Sequence, residues 1–378
     1  MGHFLIASRY TVPVRILFTR FPLESAHGGA EVQTLALMRG LREKKHEVVF
    51  AGSCPVLLKE CRKDKFKVIE LDVGPPPVSV SLVLSFALRK AHMQARLSGL
   101  IKGSAKYDAV CMLSLSEKIL LTPLCIEKGI PVFWIEHDRI GRWLTKNPWL
   151  KQLKVLSQQV KTITVSDLSK KLYEELGFRP STVVAIPNGI DETRLDGKHV
   201  RLKAKSAQLR VGCIARLSPE KGIDLLIRAI KDVPEGTLEI VGRGSEEPLL
   251  KRLTRQRDLQ DRVTFTTDFV DLAQVYARWD VLVLPSSEHD PFGLVAGEAM
   301  IVGLPVVVTD ACGIADYLHD DDDALIVPAN SSSALAHALL ALRDPLTRER
   351  IAQAGQATAK EKFSMKKMVA AYAKVLGS

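Results

Sequence analysis

Several signatures that would assign a protein to a particular class are missing from this sequence. No apolar run is long enough to cross a bilayer, and residues 1–10 lack the apolar segment of a secretory signal, so we expect a cytoplasmic protein. The six cysteines include no Cys-x-x-Cys pair, which favours buried thiols in a reducing compartment over a disulfide framework. Helix-turn-helix, zinc and aromatic RNA-binding signatures are also missing, so no nucleic-acid partner is expected.

The composition is that of a soluble globular protein with about two domains. Hydrophobic residues make up 46% of the 378 residues, and charged residues make up 25%. The charge is uneven, because residues 1–190 hold 28 Lys and Arg against 16 Asp and Glu, whereas residues 191–378 hold 25 against 27. The formal charge of +10 therefore comes from the first half. This asymmetry predicts that the first half meets an anionic partner, either a membrane surface or a phosphorylated acceptor.

The second half contains the most informative stretch, an apolar run at 281–284 followed by a polar loop and a helical segment. A continuous apolar run of this length predicts a strand buried on both faces, and hence a parallel α/β sheet. We expect Pro291 in the first turn of the helix, where a missing N–H costs nothing. The N–H groups of residues 292–294 would then be free at the positive end of the helix dipole. This predicts an anion site at the carboxyl end of a strand.

Two carboxylates flank the predicted anion site. Asp290 stands at the mouth of the loop, and Glu298 follows it in the helical segment, about two turns further on. A carboxylate repels phosphate but accepts hydrogen bonds from sugar hydroxyls. The pair therefore predicts a ligand with phosphate in its middle and hydroxyl-rich groups at both ends, which is a nucleotide-sugar.

Two basic side chains earlier in the second half are suited to neutralising such a phosphate. Arg216 and Lys221 lie in a proline-containing loop that follows a strand at 209–214. We expect both to point into one pocket, where fixed cations stabilise the negative charge of a departing nucleotide. A later strand ends at Gly242 and Arg243, a glycine turn that we expect to face the same cleft.

The first half begins with a similar pattern. An apolar strand and a loop lead to Gly28 and Gly29, which open an amphipathic helix. Glycine lets the backbone approach a ligand closely, so this pattern predicts a phosphate-approach loop. Further on, Trp143 lies in a loop whose aromatic side chains are suited to lining an acceptor path.

The loop with Arg216, Lys221 and Gly222 and the acidic pair Asp290 and Glu298 resemble the signatures of the family-4 retaining glycosyltransferases of GT-B fold. The resemblance extends over nearly the whole chain. In that family the first acid of the pair contacts the transferred sugar, and the second contacts the nucleotide ribose. This chain departs from the pattern because its first acid is Asp290 instead of a glutamate, which is one methylene longer.

The resemblance implies roles for further residues. His137, at the end of a strand, matches a histidine near the donor sugar and would be catalytic together with Asp290, Arg216 and Lys221. Asn188 lies in a turn like the family's interdomain crossing. The residues expected to bind the donor are Gly28, Gly29, Gly242, Arg243, Asp268, Phe269, Phe292, Gly293, Leu294 and Glu298.

The implied fold consists of two doubly wound Rossmann-like α/β domains that face each other across a cleft. We assign residues 1–190 to an acceptor-binding domain and residues 191–362 to a nucleotide-sugar-binding domain. The helix at 363–378 would pack back on the first domain, and residues 198–208 are predicted to be a polar linker. The implied reaction retains the anomeric configuration, because the leaving phosphate assists the incoming hydroxyl on the same face.

The expected function is transfer of a hexose-type sugar from a UDP- or GDP-sugar to a lipid-linked or glycan acceptor in cell-envelope or polysaccharide biosynthesis. The protein would be a monomer or weak oligomer with no obligatory cofactor, working in the cytoplasm or on the inner face of the membrane. Two other hypotheses stay open: a non-catalytic nucleotide-sugar-binding protein, and another GT-B enzyme such as an epimerase or a phosphorylase.

Two further segments each allow two interpretations. Residues 320–323 are four aspartates with the Asp-x-Asp spacing that can hold Mg²⁺ or Mn²⁺, but a solvated turn is favoured and no metal is expected. Residues 82–100 predict a basic amphipathic helix, which either lies in a membrane interface or packs on the sheet. The packed helix is favoured.

Overall fold

The computed structural model describes residues 13–22, 28–102, 106–195, 208–267 and 272–377. These residues form two compact units. The first unit contains the described residues up to Ile186 together with those from Met365 onward, and the second unit runs from Pro187 to Ser364. The chain leaves the first unit slightly before the expected boundary at 190, so Asn188 belongs to the second unit.

The described residues of the first unit contain a seven-stranded parallel sheet in the order β3-β2-β1-β4-β5-β6-β7. Its strands are β1 (Arg15–Arg20), β2 (Glu47–Gly52), β3 (Lys67–Glu70), β4 (Ala109–Met112), β5 (Val132–Glu136), β6 (Lys161–Thr164) and β7 (Val183–Ala185). Its helices are α1 (Gly29–Glu43), α2 (Pro55–Lys63), α3 (Val80–Lys102), α4 (Leu115–Leu120), α5 (Thr122–Glu127), α6 (Arg142–Thr145), α7 (Leu150–Ser157), α8 (Asp167–Glu175) and, from the end of the chain, α15 (Met365–Leu376).

The second unit contains, within its described residues, a six-stranded parallel sheet in the order β10-β9-β8-β11-β12-β13. Its strands are β8 (Arg210–Ile214), β9 (Thr237–Val241), β10 (Val263–Thr266), β11 (Val281–Leu284), β12 (Val306–Thr309) and β13 (Leu325–Val327). Its helices are α9 (Ile223–Lys231), α10 (Glu247–Gln256), α11 (Leu272–Tyr276), α12 (Leu294–Ile301), α13 (Ser332–Ala341) and α14 (Pro345–Lys362). Short 3₁₀ turns in the two units lie at Pro180–Thr182, Glu192–Leu195, Pro219–Lys221 and Ala315–Tyr317.

Both sheets follow from the apolar runs of the sequence. Every residue of β4, β11 and β12 is buried, because helices cover both faces of a parallel sheet and leave no solvent-facing alternation. The order reverses beside β1 in the first sheet and beside β8 in the second, which is where doubly wound sheets bind ligands at the carboxyl ends of their strands. The expected doubly wound α/β architecture is confirmed.

The last helix, α15, packs against α1 of the first unit. Met368, Val369 and Tyr372 are buried in the same apolar cluster as the α1 residue Leu37. A Cβ on Gly40 of α1 would lie 2.4 Å from Val369 Cγ2, so the close approach of the two helices requires a glycine.

The six cysteines are all free and buried, as the sequence predicts. Among the helices that the structure describes, none is both long and apolar enough to span a membrane.

Candidate active site

Two loops at the carboxyl end of the second sheet are held in close contact. One follows β8 and ends at Gly222, and the other follows β11 and begins at Pro285. Gly222 has a φ of +59°, and a Cβ on it would lie 2.1 Å from the carbonyl oxygen of Pro285. The N–H of Ser287 also donates to the carbonyl of Glu220 at 3.0 Å. Glycine permits both this backbone conformation and this approach, so the side chains of the two loops are brought together.

Lys221 and Asp290, one from each loop, form an ion pair. Lys221 Nζ lies 2.6 Å from Asp290 Oδ2, and the two side chains are 21% and 8% exposed. The Ser286 hydroxyl donates to the same carboxylate oxygen at 3.2 Å. Burial alone would lower the pKa of Lys221, but the Asp290 carboxylate raises it above its usual value, so Lys221 stays charged at neutral pH.

The backbone of Asp290 is fixed by the segment that follows β12. Its N–H donates to the carbonyl of Ala311 at 2.8 Å, and its own carbonyl accepts from the N–H of Gly313 at 2.9 Å. Asp290 is therefore a buried acid with a fixed orientation toward Lys221.

Arg216 has a different environment from Lys221. Its guanidinium lies 3.1 Å from Glu220 Oε1, and its side chain is 71% exposed. The same carboxylate oxygen accepts from the Ser218 hydroxyl at 2.8 Å. Each of the two predicted cations is thus paired with its own carboxylate. Arg216 is largely exposed, whereas the side chain of its partner Glu220 is only 11% exposed. Because solvent screens the exposed guanidinium, the pair contributes little to stability, roughly 0–1 kcal/mol.

The turn after β9 packs against the loop that carries Arg216. Gly242 has a φ of +151°, and a Cβ on it would lie 1.9 Å from the carbonyl oxygen of Ala215. The Leu217 N–H donates to the carbonyl of Arg243 at 2.9 Å. The predicted glycine turn is therefore next to the cation loop, and its glycine is required by both conformation and space.

The helix at the predicted anion site begins later than the sequence suggests. Helix α12 starts at Leu294, after Gly293 with a φ of +92°, so the prediction that Pro291 lies in its first turn is wrong. Phe292 is buried and packs edge-on against Phe363, with the ring centroids 5.4 Å apart. This aromatic contact, together with the left-handed glycine, sets where the helix starts. Within the described residues, the N–H groups of Gly293 and Leu294 donate to no protein acceptor.

Glu298 lies on α12 and accepts a hydrogen bond that the sequence did not indicate. The buried Tyr276 hydroxyl of α11 lies 2.9 Å from Glu298 Oε2 and 3.3 Å from the carbonyl oxygen of Val295. No periodic or motif signal marks Tyr276, because its partner lies on another helix. Tyr276 fixes the orientation of the Glu298 carboxylate.

In the first unit, His137 follows β5 beside two buried cations. Its partial burial, together with the positive charges of Arg20 and Lys118, lowers the pKa of His137 to about 3. The imidazole is therefore neutral at the pH of a cell. Its neutral form can take part in a hydrogen bond without adding charge to the site.

The two cations beside His137 belong to buried ion pairs that the sequence did not reveal. Arg20 Nη2 lies 2.7 Å from Glu31 Oε1, and Lys118 Nζ lies 2.8 Å from Glu136 Oε2. The Tyr173 hydroxyl also donates to Glu136 at 2.9 Å. The one sequence signal for these pairs was that Arg20 and Glu136 each stand at the carboxyl end of a predicted strand, and these strands are β1 and β5 of the same sheet.

The other predicted residues are placed as follows. Gly28 precedes α1 with an extended φ of −100°, and Gly29 is the first residue of that helix. The Trp143 indole N–H donates to the carbonyl of Arg139 at 2.8 Å, and its ring packs against the first unit's core. Asn188 is buried in the second unit. Asp268 and Phe269 lie outside the described residues.

The four aspartates form a turn whose members differ in exposure. Residues 320–322 are exposed, but Asp323 is buried, and its carboxylate accepts from the His319 N–H at 2.7 Å and the Thr358 hydroxyl at 2.8 Å. Asp321 pairs with Arg350 at 2.8 Å. The interpretation as a solvated turn therefore fits the first three aspartates and not the fourth. Within the described ranges, no cluster of three or more His, Cys, Asp or Glu side chains could hold a metal ion.

Comparisons with known proteins agree with this two-sheet α/β architecture. The family model for glycosyltransferase family 4 matches residues 27–194, and that for glycosyl transferases group 1 matches residues 198–358. The two matches together account for most of the chain. The chain belongs to this glycosyltransferase family and has the GT-B fold.

Curated relatives match over part of their length. The chain is 36% identical over 160 residues to the lipopolysaccharide core biosynthesis glycosyltransferase LpsD of Rhizobium meliloti, a match that covers 42% of the chain and 46% of the relative. It is 33% identical over 217 residues to the phosphatidyl-myo-inositol mannosyltransferase of Mycobacterium leprae, covering 55% of each. The matches thus span about half the length of these relatives.

Solved structures match over almost the whole chain at low identity. Anabaena Alr3699/HepE in complex with UDP and glucose has a TM-score of 0.76 at 21% identity, with 96% of this chain and 99% of that chain covered. WaaG, a glycosyltransferase involved in lipopolysaccharide biosynthesis, has a TM-score of 0.70 at 16% identity, with coverages of 96% and 99%. At these identities the likeness supports the fold alone.

Proposed function

We propose that this glycosyltransferase moves a hexose-type sugar from a UDP- or GDP-sugar to a glycan or lipid-linked acceptor in cell-envelope or polysaccharide biosynthesis. The second unit would bind the donor, and the first unit would bind the acceptor. The pair of Lys221 and Asp290 carries the proposal. It places a charged lysine close to the start of α12, where, within the part of the chain that the structure describes, the N–H groups of Gly293 and Leu294 donate to no protein acceptor.

The donor diphosphate would bind between these groups. Lys221 and the helix N-terminus would hold its oxygens, and the Arg216 guanidinium would exchange Glu220 for phosphate. As the sugar–phosphate bond breaks, these groups stabilise the growing negative charge on the leaving nucleotide. UDP is favoured over GDP because the Anabaena protein similar to this chain was solved with UDP and with UDP-glucose.

The two acids would bind the sugars at either end of the donor. Both bonds to Asp290 from Lys221 and Ser286 go to Oδ2, which leaves Oδ1 to accept from a hydroxyl of the transferred sugar. Glu298 would accept from the ribose hydroxyls while the Tyr276 hydroxyl holds its carboxylate in place.

We propose retention of configuration, with no protein side chain acting as a strong base. With a pKa of about 3, His137 is a weak proton acceptor at neutral pH. A neutral imidazole is suited to a hydrogen bond with the donor sugar. The proton of the incoming hydroxyl would pass to the leaving phosphate, and positioning and charge stabilisation would supply the rate enhancement.

The excess of basic residues in the first half supports a place at an anionic surface. We propose that the protein works in the cytoplasm, in peripheral contact with the inner face of the membrane, where lipid-linked acceptors are accessible. It would act as a monomer or weak oligomer and require no cofactor beyond the donor.

A panel of donors tests the proposed function directly. UDP-glucose, UDP-galactose, UDP-N-acetylglucosamine and GDP-mannose would each be incubated with the protein, and released nucleotide and product would be measured. We expect turnover with a UDP-sugar, and NMR of the product should show the anomeric configuration of the donor. Absence of both transfer and donor hydrolysis with every donor would contradict the donor class, and an inverted product would contradict the mechanism.

A further inference from the structure

The loop between β11 and α12 is tied to the segment that follows β13. The Asn330 side-chain amide donates to the carbonyl of Ser287 at 3.0 Å. Because β12 lies between β11 and β13 in the sheet, this bond reaches past a whole strand. It joins the loop that carries Asp290 to a segment for which the sequence indicated no role in the site.

Asn330 is an exposed residue whose backbone lies in the left-handed region. Its φ is +63°, which asparagine tolerates better than most residues with a side chain. Other residues fix the turn around it. The Ala329 N–H donates to the Asp310 carboxylate at 2.8 Å. The Ser331 hydroxyl accepts from the N–H of Ala334 at 3.1 Å and caps α13. The side chain of Asn330 is therefore not needed for the turn and is directed to another loop.

Ser287, which accepts this bond, is also held by the loop that carries Lys221. Its N–H donates to the carbonyl of Glu220 at 3.0 Å, and its hydroxyl donates to the carbonyl of Pro219 at 3.2 Å. Ser287 is therefore restrained from two sides, by the segment that follows β8 and by the segment that follows β13.

The two ends of this loop are held separately, by the end of β12 and the residues after it. The Thr309 hydroxyl donates to the carbonyl of Ser286 at 2.7 Å, and the Asp290 N–H donates to the carbonyl of Ala311 at 2.8 Å. Between these fixed ends, residues 287–289 form the outer part of the loop, directly before Asp290. The amide contact from the β13 side therefore acts on this outer part and not on Asp290 itself.

We propose that Asn330 is a positioning residue that holds residues 287–289 as a wall beside the transferred sugar and so limits which sugar the site accepts. This inference deepens the proposed function and rests on it for the place of the sugar at Asp290. A sugar whose hydroxyl contacts Asp290 Oδ1 would lie next to the residues that precede Asp290 in the chain. A wall held by hydrogen bonds on both sides discriminates between sugars by shape, whereas a loosened wall adapts to an unsuitable sugar.

The variant Asn330→Gly tests the proposal with little disturbance of the backbone. Glycine adopts a positive φ readily and lacks the amide. With UDP-glucose, UDP-galactose and UDP-N-acetylglucosamine as donors, the ratio of kcat/KM between the best and the second-best donor should fall roughly fivefold, because one hydrogen bond that holds the wall is lost. The affinity for UDP, measured by calorimetry, should stay within roughly twofold of the parent value, since UDP carries no transferred sugar.

Two further variants sharpen this test. Asn330→Asp keeps the size of the side chain but places an oxygen where the amide donor was, so it should lower the ratio at least as much as Asn330→Gly. Asp258→Gly is the matched control, because Asp258 is also exposed, has a φ of +57° and lies in the second unit. It should leave the ratio at the parent value.

Hydrogen exchange tests the restraint on the loop without any turnover. The N–H groups of Ser287 and Glu288 both donate to the carbonyl of Glu220, at 3.0 and 3.4 Å. In Asn330→Gly these amide protons should exchange roughly fivefold faster than in the parent protein, whereas Asp258→Gly should leave their exchange unchanged. Mass spectrometry of the peptide that contains this loop measures the exchange. Unchanged exchange in Asn330→Gly would overturn the proposal.

The remaining outcomes separate this inference from the proposed function. Faster exchange with an unchanged donor ratio would mean that Asn330 only stabilises the loop, which would overturn its role in sugar selection and leave the proposed function intact. A fall in UDP affinity as large as the fall in the ratio would assign the effect to the diphosphate and would likewise overturn the inference. If the parent protein turned over none of the donors, the proposed function would be contradicted and sugar selection with it, whereas the restraint on the loop would still stand or fall with the exchange experiment.

Discussion

Each unit carries ion pairs at the carboxyl ends of its central strands, but the two sets differ in their access to solvent. In the first unit, the pairs of Arg20 with Glu31 and of Lys118 with Glu136 are buried on both sides. In the second unit, Lys221 is partly exposed, and Arg216 is largely exposed. The same strand-end position therefore supports two kinds of charged site.

The difference in exposure determines what each set of pairs can do. Removing one partner of a buried pair leaves an uncompensated charge, which costs about 3–5 kcal/mol of stability. A buried pair is therefore not readily separated by a ligand. An exposed pair contributes roughly 0–1 kcal/mol, so a ligand can take over one partner. The first unit thus uses its charges to hold α1 to the end of β1 and α4 to the end of β5, and to keep His137 neutral. The second unit leaves the guanidinium of Arg216 exposed to solvent.

The largest expected effect follows from changing Lys221. Lys221→Ala should lower turnover by roughly 10²–10³, because one stabiliser of transition-state charge is lost. It should also cost about 1–3 kcal/mol of stability, because Asp290 is left buried without its cation. Steady-state kinetics and thermal melting measure the two effects. Adding Asp290→Asn should restore stability without restoring turnover, and turnover within tenfold of the parent in Lys221→Ala would exclude this role.

Arg216→Ala should lower turnover by about 10² and leave stability within about 0.5 kcal/mol of the parent. The reason is that the Arg216 side chain is exposed and its pair with Glu220 contributes little. Arg228→Ala is the matched control, because Arg228 forms an exposed pair with Asp224 at the same spacing of four residues. If both variants retained normal turnover, Arg216 would have no part in the reaction.

Glu117 offers a test of how strongly the first unit buries its charges. Burial raises the pKa of Glu117 to about 7. The folded protein therefore keeps a proton that the unfolded chain loses, and stability should fall as the pH rises from about 4.5 to about 7. Glu117→Gln should remove this dependence and be more stable than the parent at pH 8 by about 3 kcal/mol, with little difference near pH 4.5. Denaturant unfolding at both pH values measures this difference in the free energy of unfolding between the parent protein and the variant.

The exposed control for that comparison is Glu43→Gln at the end of α1. It should show the same pH dependence as the parent protein. If the stability of the parent protein changed with pH no more than that of Glu117→Gln, the prediction would be wrong. Glu117 would then be ionised in its buried position at no cost in stability.

Asp290→Asn should tighten the binding of free UDP by roughly tenfold. A carboxylate near a bound phosphate repels it by about 1–2 kcal/mol at the effective dielectric of a protein surface, and the variant removes that charge. Turnover should nevertheless fall, because the proposed contact with the sugar is weakened. Calorimetric titration with UDP measures the affinity, and Ser286→Ala, which removes a hydrogen bond from Asp290 without changing charge, should leave it unaltered. Weaker UDP binding would show instead that Asp290 serves to position Lys221.

The smallest effect is expected at the four aspartates. Asp321→Asn removes only an exposed pair with Arg350, so turnover should be unchanged and should persist in a chelator. Asp323→Asn should reduce stability, because Asp323 is buried and accepts two hydrogen bonds, but it should introduce no metal dependence. Activity that is lost in chelator and restored by Mn²⁺ would contradict this expectation.

Local pattern was enough to predict most of the secondary structure and the loops that follow β8 and β11. The apolar runs that became β11 and β12 are recognisable because strands covered on both faces exclude polar residues. Gly222 and Gly242 mark turns because their backbone angles and close contacts exclude a side chain. The start of α12 was misplaced, since the packing of Phe292 on Phe363 outweighed the preference of Pro291 for a first turn.

The sequence by itself determined the two α/β sheets, the glycine turns and the presence of Arg216, Lys221, Asp290 and Glu298 in loops beside strands. Only the tertiary structure decided which charges meet. Lys221 and Asp290 are 69 residues apart, and Tyr276 and Glu298 are 22 apart on different helices. It also turned Arg89 inward and left Leu84 and Leu88 exposed. Hydrophobic periodicity encodes which residues are covered, whereas the partner of a polar side chain depends on how distant segments are brought together.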